Sequence, residues 1–281
     1  MTIKIVTDSA SDIPQALAKE WNITVLPLTI RFGEEEFSDG VTLMPDQFFR
    51  KLEAGPHFPK TSQITPYIYN LAFADAVRHG DDVVCFCLSS GVSGSFQSAC
   101  FAAAGYEGHV FVIDTRQFCI SQYVIVKRAV EPRDAGFSVA ELVTIITEEL
   151  RHAHVLAAFD TLEYLKRGGR LSGAAAAVGG LLNIKPVLTI TDGVVDVLGK
   201  ARGMRKACDM LMQELEKLGE VDFTKPVCFG CTAGGEEGLH LLKARFFEVT
   251  GCEGDYPQVE VGATIGAYAG PKAVACAFFT K

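Results

Sequence analysis

Ser89-Ser90-Gly91-Val92-Ser93-Gly94-Ser95 is the stretch on which the reading of this chain turns. It follows Asp82-Val83-Val84-Cys85-Phe86-Cys87-Leu88, an apolar run short enough to be a buried strand, and it runs into a helical stretch over residues 96–104. A strand that ends in small hydroxylated residues at a helix start gathers backbone N–H groups and hydroxyls at one point. Such a point holds an oxyanion, whether carboxylate or phosphate. The same order appears on either side. Residues 3–7 form an apolar strand that ends at Asp8-Ser9-Ala10-Ser11-Asp12, and residues 109–115 form another that ends in Asp114-Thr115. Helices follow over 117–128 and 139–151 on amphipathic spacing, so the first half predicts a parallel sheet with helices on both faces.

The remaining elements are read the same way. Residues 23–30 are a strand pair or one bent strand around Pro27, and Gly33-Glu34-Glu35-Glu36 is a solvated hairpin tip. A helix over 45–52 leads to the loop Pro59-Lys60-Thr61-Ser62-Gln63-Ile64-Thr65-Pro66. Thr65 serves as a helix start, which leaves Thr61, Ser62 and Gln63 free to face a ligand. In the second half, residues 155–161 are a strand and Thr191-Asp192-Gly193 is a hairpin turn. Cations cluster at Leu165-Lys166-Arg167-Gly168-Gly169-Arg170-Leu171-Ser172-Gly173 and again around Lys200, Arg202, Arg205 and Lys206, which points to an anion or partner contact. Residues 263–270 read as a Gly/Ala-rich loop suited to close backbone approach. The pattern sets two domains, 1–160 and 161–281.

Composition narrows the function. With 281 residues and a formal charge of −8, the chain has no cationic surplus for nucleic acid. Residues 173–182 are too short and glycine-rich to span a bilayer, and the first residues form a strand rather than a leader, so a cytoplasmic protein is expected. The nine cysteines include Cys85, Cys87 and Cys276 inside apolar runs, where a thiol behaves as a small hydrophobe. Cys228-Phe229-Gly230-Cys231 has no second pair to complete a zinc site, so no metal is expected.

Two chemistries compete for Ser93. Gly91-Val92-Ser93-Gly94-Ser95 lacks the last glycine of a nucleophile elbow. A serine hydrolase or esterase would draw on Asp160 or Asp192 with His240, whereas His109 and His154 lie at the opposite sheet edge. No phosphate-loop lysine and no glycine-rich dinucleotide turn is present. The other reading is a binder. Residues 173–182 and 263–270 are small enough to admit a long apolar guest, with Thr61, Ser62 and Ser93 lining a carboxylate end. Each buried CH₂ contributes about 0.8 kcal/mol.

Taken together, Thr7-Asp8-Ser9, Thr61-Ser62-Gln63 before Thr65-Pro66, the serine-rich turn, Val112-Ile113-Asp114-Thr115, residues 165–172, Lys185-Pro186 and Ile265-Gly266 with Gly270-Pro271 resemble the DegV family over essentially the whole length. The resemblance implies a DegV-like two-domain α/β fold: an N-terminal parallel α/β/α domain, a C-terminal mixed-sheet domain, and a long-chain fatty acid such as palmitate or stearate between them. It implies no catalytic residue and no cofactor beyond that ligand. Thr61, Ser62, Ser93, Gly94 and Tyr268 fall at the carboxylate, and Arg170 and Arg202 at the head group or a partner surface. The implied partner is a DhaK/DhaL-type fatty acid kinase subunit that makes acyl-phosphate for phospholipid synthesis. A monomer without stable membrane insertion is expected; a lipid-sensing regulator is the further alternative. The chain departs from the family pattern at Ala267-Tyr268-Ala269, where Thr-His-Thr is common, and at Phe118-Cys119-Ile120-Ser121-Gln122-Tyr123, where smaller residues are usual. The bulkier groups are expected to reshape the acyl tunnel.

Overall fold

The computed structural model describes residues 2–171 and 183–281. The glycine-rich tract at 173–182, expected to border the ligand, lies outside the described residues. In chain order the strands are β1 (Ile3–Asp8), β2 (Ile23–Leu26), β3 (Thr29–Phe32), β4 (Glu35–Ser38), β5 (Lys60–Ser62), β6 (Asp82–Cys87), β7 (Val110–Asp114), β8 (Ala153–Ala158), β9 (Ile184–Thr191), β10 (Val194–Arg202), β11 (Cys228–Cys231), β12 (Gln258–Glu260) and β13 (Val274–Phe279). The helices are α1 (Gln15–Glu20), α2 (Pro45–Ala54), α3 (Pro66–Arg78), α4 (Ser95–Ala103), α5 (Ile120–Asp134), α6 (Val139–Glu149), α7 (Glu163–Gly168), α8 (Met204–Leu218), α9 (Glu236–Thr250) and α10 (Ala263–Ala269).

The first sheet is parallel, ordered β2-β1-β6-β7, and the second is mixed, ordered β10-β9-β8-β13-β11-β12. A small antiparallel sheet, β4-β3-β5, lies beside them. The expected α/β class holds, with three local corrections. The stretch around Pro27 is two strands in two different sheets, because proline has no N–H with which to continue a ladder. Lys60–Ser62, expected to be loop, pairs with β3 despite the flanking prolines. Ala263–Ala269, expected to be loop, is helical.

The helix expected to be amphipathic near residue 117 is α5, and its first two turns are buried on every side. Ile120 to Val126 are all buried because α5 lies between the sheets, touching β1 on one side and β8, β11 and β13 on the other. Burial there follows no stripe, and it takes in the polar Ser121 and Gln122 as well. One core therefore runs through both halves, joining Ile5 and Phe86 to Tyr123, Val124 and Val126, and these to Val155, Ala277 and Phe279. Full burial of each large apolar side chain contributes roughly 1.5–3 kcal/mol. The division at residue 160 also needs correction. β8 precedes that point, yet it is hydrogen-bonded between β9 and β13 in the second sheet.

Cys85, Cys87 and Cys276 are buried free thiols, as their apolar runs imply. Cys228 and Cys231 sit three apart on one strand, so their side chains leave opposite faces. Burial, together with Glu236 and Glu260, pushes the Cys231 thiol up to about 11. It is not a reactive thiolate. No helix among the described residues is long and apolar enough to cross a membrane.

Candidate functional site

The serine-rich turn is clamped from three directions. Leu88 N–H donates to Asp8 Oδ2 at 2.7 Å, and Ser90 donates both its N–H and its hydroxyl to Asp114. On the far side, Ser89 Oγ donates to the Gly193 carbonyl at 2.6 Å, and Arg116 donates to the Asp192 carbonyl. The hairpin between β9 and β10 thus rests on the turn, with Asp192 and Gly193 both at positive φ as a type I′ turn requires. Asp8 and Ser9 serve as scaffold, because both side chains are spent on structural hydrogen bonds.

Within the turn the hydroxyls are linked. Ile64 N–H donates to Ser95 Oγ at 3.3 Å, and the Ser93 and Ser95 hydroxyls are bonded to each other at 3.1 Å, with either able to donate. Ser93 Oγ also accepts from Ser95 N–H at 3.2 Å. When Ser95 is the donor in that pair, the Ser93 proton is available to an anion. Across the cavity, Thr61 Oγ1 and the Tyr268 hydroxyl are 2.5 Å apart. One proton makes that bond, and the other remains to be donated.

These groups line the polar end of a cavity with about 870 Å³ of empty space, bordered by Thr61, Gln63, Ser93, Gly94, Arg170 and Tyr268. A second cavity, with about 530 Å³, is walled by Val155, Ala157, Leu188, Val261 and Ala273 and exposes no polar surface. Phe118, Phe159, Val195, Ile265 and Ala269 border both, so the two cavities adjoin at these side chains. The result is a polar cavity at the turn after β6, with Thr61 of β5 and α10, beside an oily one against the strands of the mixed sheet.

Of the expected site residues, Thr61, Ser93, Gly94, Arg170 and Tyr268 come together here. Ser62 does not. On β5 its neighbours Thr61 and Gln63 face the cavity, and strand alternation turns Ser62 outward to solvent. Arg202, at the exposed end of β10, is likewise outside the lining. Arg170 approaches the Val92 carbonyl at 3.4 Å, and its guanidinium stands 5.1 Å from the Tyr268 ring centre. The cationic turn is in fact the end of α7, closed by Gly169 in the left-handed region. Of the bulky stretch 118–123, Phe118 and Cys119 reach the cavity. Tyr123 instead packs edge-on against Trp21, and Ser121 and Gln122 are bonded to Phe118 and Thr7. Gln63 and Ile265 line the site as their stretches were expected to, whereas Phe159 and Val195 line it without having been expected to. Those two carry no polar signature that a sequence could reveal.

A family model described as "Uncharacterised protein, DegV family" matches residues 2–281. A DegV domain-containing protein of Deinococcus radiodurans is 36% identical over 278 residues, covering 99% of this chain and 98% of the relative. One from Caldanaerobacter subterraneus is 34% identical over 283 residues, covering 99% of both chains. Among solved structures, a fatty-acid-binding DegV family protein of Thermus thermophilus superposes with a TM-score of 0.91 at 31% identity, covering 100% of both chains. The Streptococcus pneumoniae Fatty Acid Kinase (Fak) B3 protein, loaded with linoleic acid, gives a TM-score of 0.87 at 25% identity, again over 100% of both.

Proposed function

This chain belongs to the DegV family, and from that premise we propose that it binds one long-chain fatty acid and offers the carboxylate to a separate ATP-dependent kinase subunit. The observation that carries the reading is the adjacency of the two cavities, one polar at Thr61, Ser93 and Arg170 and the other, beyond Phe118, lined mainly by apolar residues. The acyl chain supplies most of the affinity, at about 0.8 kcal/mol per buried CH₂. Ser93 and Thr61 each donate one proton to the carboxylate, and Arg170 supplies the positive charge nearest the head group. Ser93 acts as a donor because its oxygen accepts from Ser95 N–H and can accept from the Ser95 hydroxyl as well, and no histidine is among the described residues lining the cavity to take its proton. The resemblance to the linoleate-loaded kinase-system protein supports the presenting role. Tyr268, standing where the family commonly has histidine, keeps the bond to Thr61 through its phenol.

Native mass spectrometry of the purified protein tests the reading, with thermal melts in added palmitate as the second readout. A co-purifying C16–C18 acid and a raised melting temperature are expected; recovery of no acyl ligand together with an unmoved melt overturns it. Ser93→Ala removes one donor to a charged acceptor. It is expected to weaken palmitate binding by about 1.5 kcal/mol, roughly tenfold, in a titration. Unchanged affinity would take Ser93 out of the site. Phe118→Ala opens the junction between the cavities. It is expected to raise the affinity for oleate relative to palmitate about threefold in competition, because a mid-chain bend needs width where the two cavities meet. An unaltered ratio would mean that Phe118 does not shape the acyl path.

A further inference from the structure

The helix α10 supplies Thr264, Ile265, Tyr268 and Ala269 to the cavity, yet its own sequence does little to form it. It is seven residues long, with glycine at position 266 and β-branched Thr264 and Ile265 in its first turn. A helix this short is not stable alone, and glycine and β-branched residues weaken it further. Its N-cap position is Gly262, which has no side chain to satisfy the free N–H groups of the first turn. Those groups are satisfied from the other end of the chain. Asp39 Oδ1 accepts from Ala263 N–H at 3.0 Å, and Asp39 Oδ2 accepts from Thr264 N–H at 3.2 Å and from the Thr264 hydroxyl at 2.5 Å. Ser9 Oγ donates to the same Oδ2 at 2.9 Å, and Asp12 Oδ1 takes Gly262 N–H at 2.8 Å. Asp39 is 2% exposed, so water does not substitute for it.

We propose that Asp39 is a positioning residue that fixes α10 against the N-terminal half, and so sets where Tyr268 meets Thr61 and where Ile265 meets the acyl chain. The proposal rests on the fatty-acid reading above. The donors of the carboxylate end are split between the halves: Thr61 and Ser93 belong to one, and Tyr268 rides on α10. The Thr61–Tyr268 bond keeps its geometry only while α10 holds its register. Asparagine matches aspartate in size but has a single oxygen. Whichever way the amide is turned, its NH₂ faces one of the two backbone N–H groups, which cannot reverse.

The test compares wild type, Asp39→Asn and Ser9→Ala, using palmitate and hexadecanol affinities and amide exchange across residues 262–266 in ligand-free protein. Asp39→Asn is expected to bind palmitate roughly 10- to 100-fold more weakly and hexadecanol within about threefold of wild type, with α10 amides exchanging at least tenfold faster. Misplaced head-group donors penalise the acid and spare the alcohol, whereas loosening of the whole cavity penalises both. Unchanged palmitate affinity, an equal loss for both ligands, or unchanged exchange each overturns the proposal. If wild type binds neither ligand, the fatty-acid reading fails, while the exchange arm still decides whether Asp39 holds α10. If Asp39→Asn does not fold, Ser9→Ala carries the test. It is expected to move palmitate affinity and exchange in the same sense by roughly threefold, and no movement overturns the proposal.

Discussion

A Gly168→Ala variant is expected to bind palmitate about 100-fold more weakly than wild type, although no atom of the ligand-facing hydroxyls is altered. Gly168 is the last residue of α7, and a Cβ built on it would fall deep inside van der Waals contact of Cδ1 and Cε1 of Tyr268. The ring has nowhere to go. Its hydroxyl is bonded to Thr61, the Arg170 guanidinium stacks near its face, and α10 is backed by Phe48 and Phe49. Either the ring leaves Thr61 or α7 moves, and α7 leads directly into Arg170. Overpacking of this kind costs about 1–3 kcal/mol, and breaking the carboxylate network takes the loss in binding toward the upper end. A double-mutant cycle isolates the cause. In a Tyr268→Ala background the same glycine substitution is expected to be nearly silent, leaving a coupling of about 2.7 kcal/mol. A Gly168→Ala protein with wild-type affinity, or a cycle with no coupling, would mean that Tyr268 does not sit against this backbone.

The sequence revealed those parts of the site that sit at the ends of regular strands. Ser93 follows an apolar run into a helix, and the hydroxyl-rich order there signals an anion in any α/β sheet. Thr61 stood out for a weaker reason, as a polar residue that no helix start required. The same logic picked Ser62 as well, because a loop has no faces. Only the pairing of Lys60–Ser62 with β3 gives that segment an inside and an outside. α10 escaped notice because Ala-Thr-Ile-Gly-Ala-Tyr-Ala has no helical hydrophobic period. Its helicity is imposed by Asp39, 224 residues away. α5 misled in the opposite way. Within the expected span 117–128, polar Gln117, Ser121, Gln122, Lys127 and Arg128 imitate a solvent face, yet the first three are buried. The tail cavity was the least legible part, since its walls are alanine, valine and leucine from strands that read as ordinary core. The empty space lies where the mixed sheet meets Phe118, Cys119 and α10, and no local pattern encodes it.

Cooling of stability with rising pH is the second large effect expected, and it runs opposite to ordinary acid denaturation. Burial pushes the Asp12 carboxyl up to about 8 and that of Asp8 up to about 7, each opposed only in part by backbone N–H donors from Gly262, Leu88 and Ala10. Asp39 faces both and is raised in the same sense, while the neighbouring Cys119 thiol is pushed well up and stays protonated throughout. In the unfolded chain these carboxyls lose their protons near pH 4. Between pH 4 and 8 the folded state therefore holds protons that the unfolded state has released, and raising the pH favours unfolding. The stability is fully present below the unfolded value and is lost as pH climbs through about 7 and about 8. His154 works the other way. Burial depresses it to about 4, so acidification below its unfolded value near 6.5 costs stability. Between pH 6.5 and 8 His154 is neutral in the fold and at most half protonated in the unfolded chain, so it offsets only a small part of the loss. Across that window the two carboxyls are expected to remove about 2 kcal/mol, lowering the melting temperature by roughly 5 °C. Asp12→Asn, which keeps the shape of the neutral acid, is expected to flatten more than half of that slope, because Asp12 holds its proton across most of the window. Melting curves at pH 6.5, 7.25 and 8 for the two proteins decide the matter. A wild-type melting temperature that is level or rises with pH would mean that Asp8 and Asp12 are ionised in the fold, and that their buried charges are balanced by donors other than those three backbone amides.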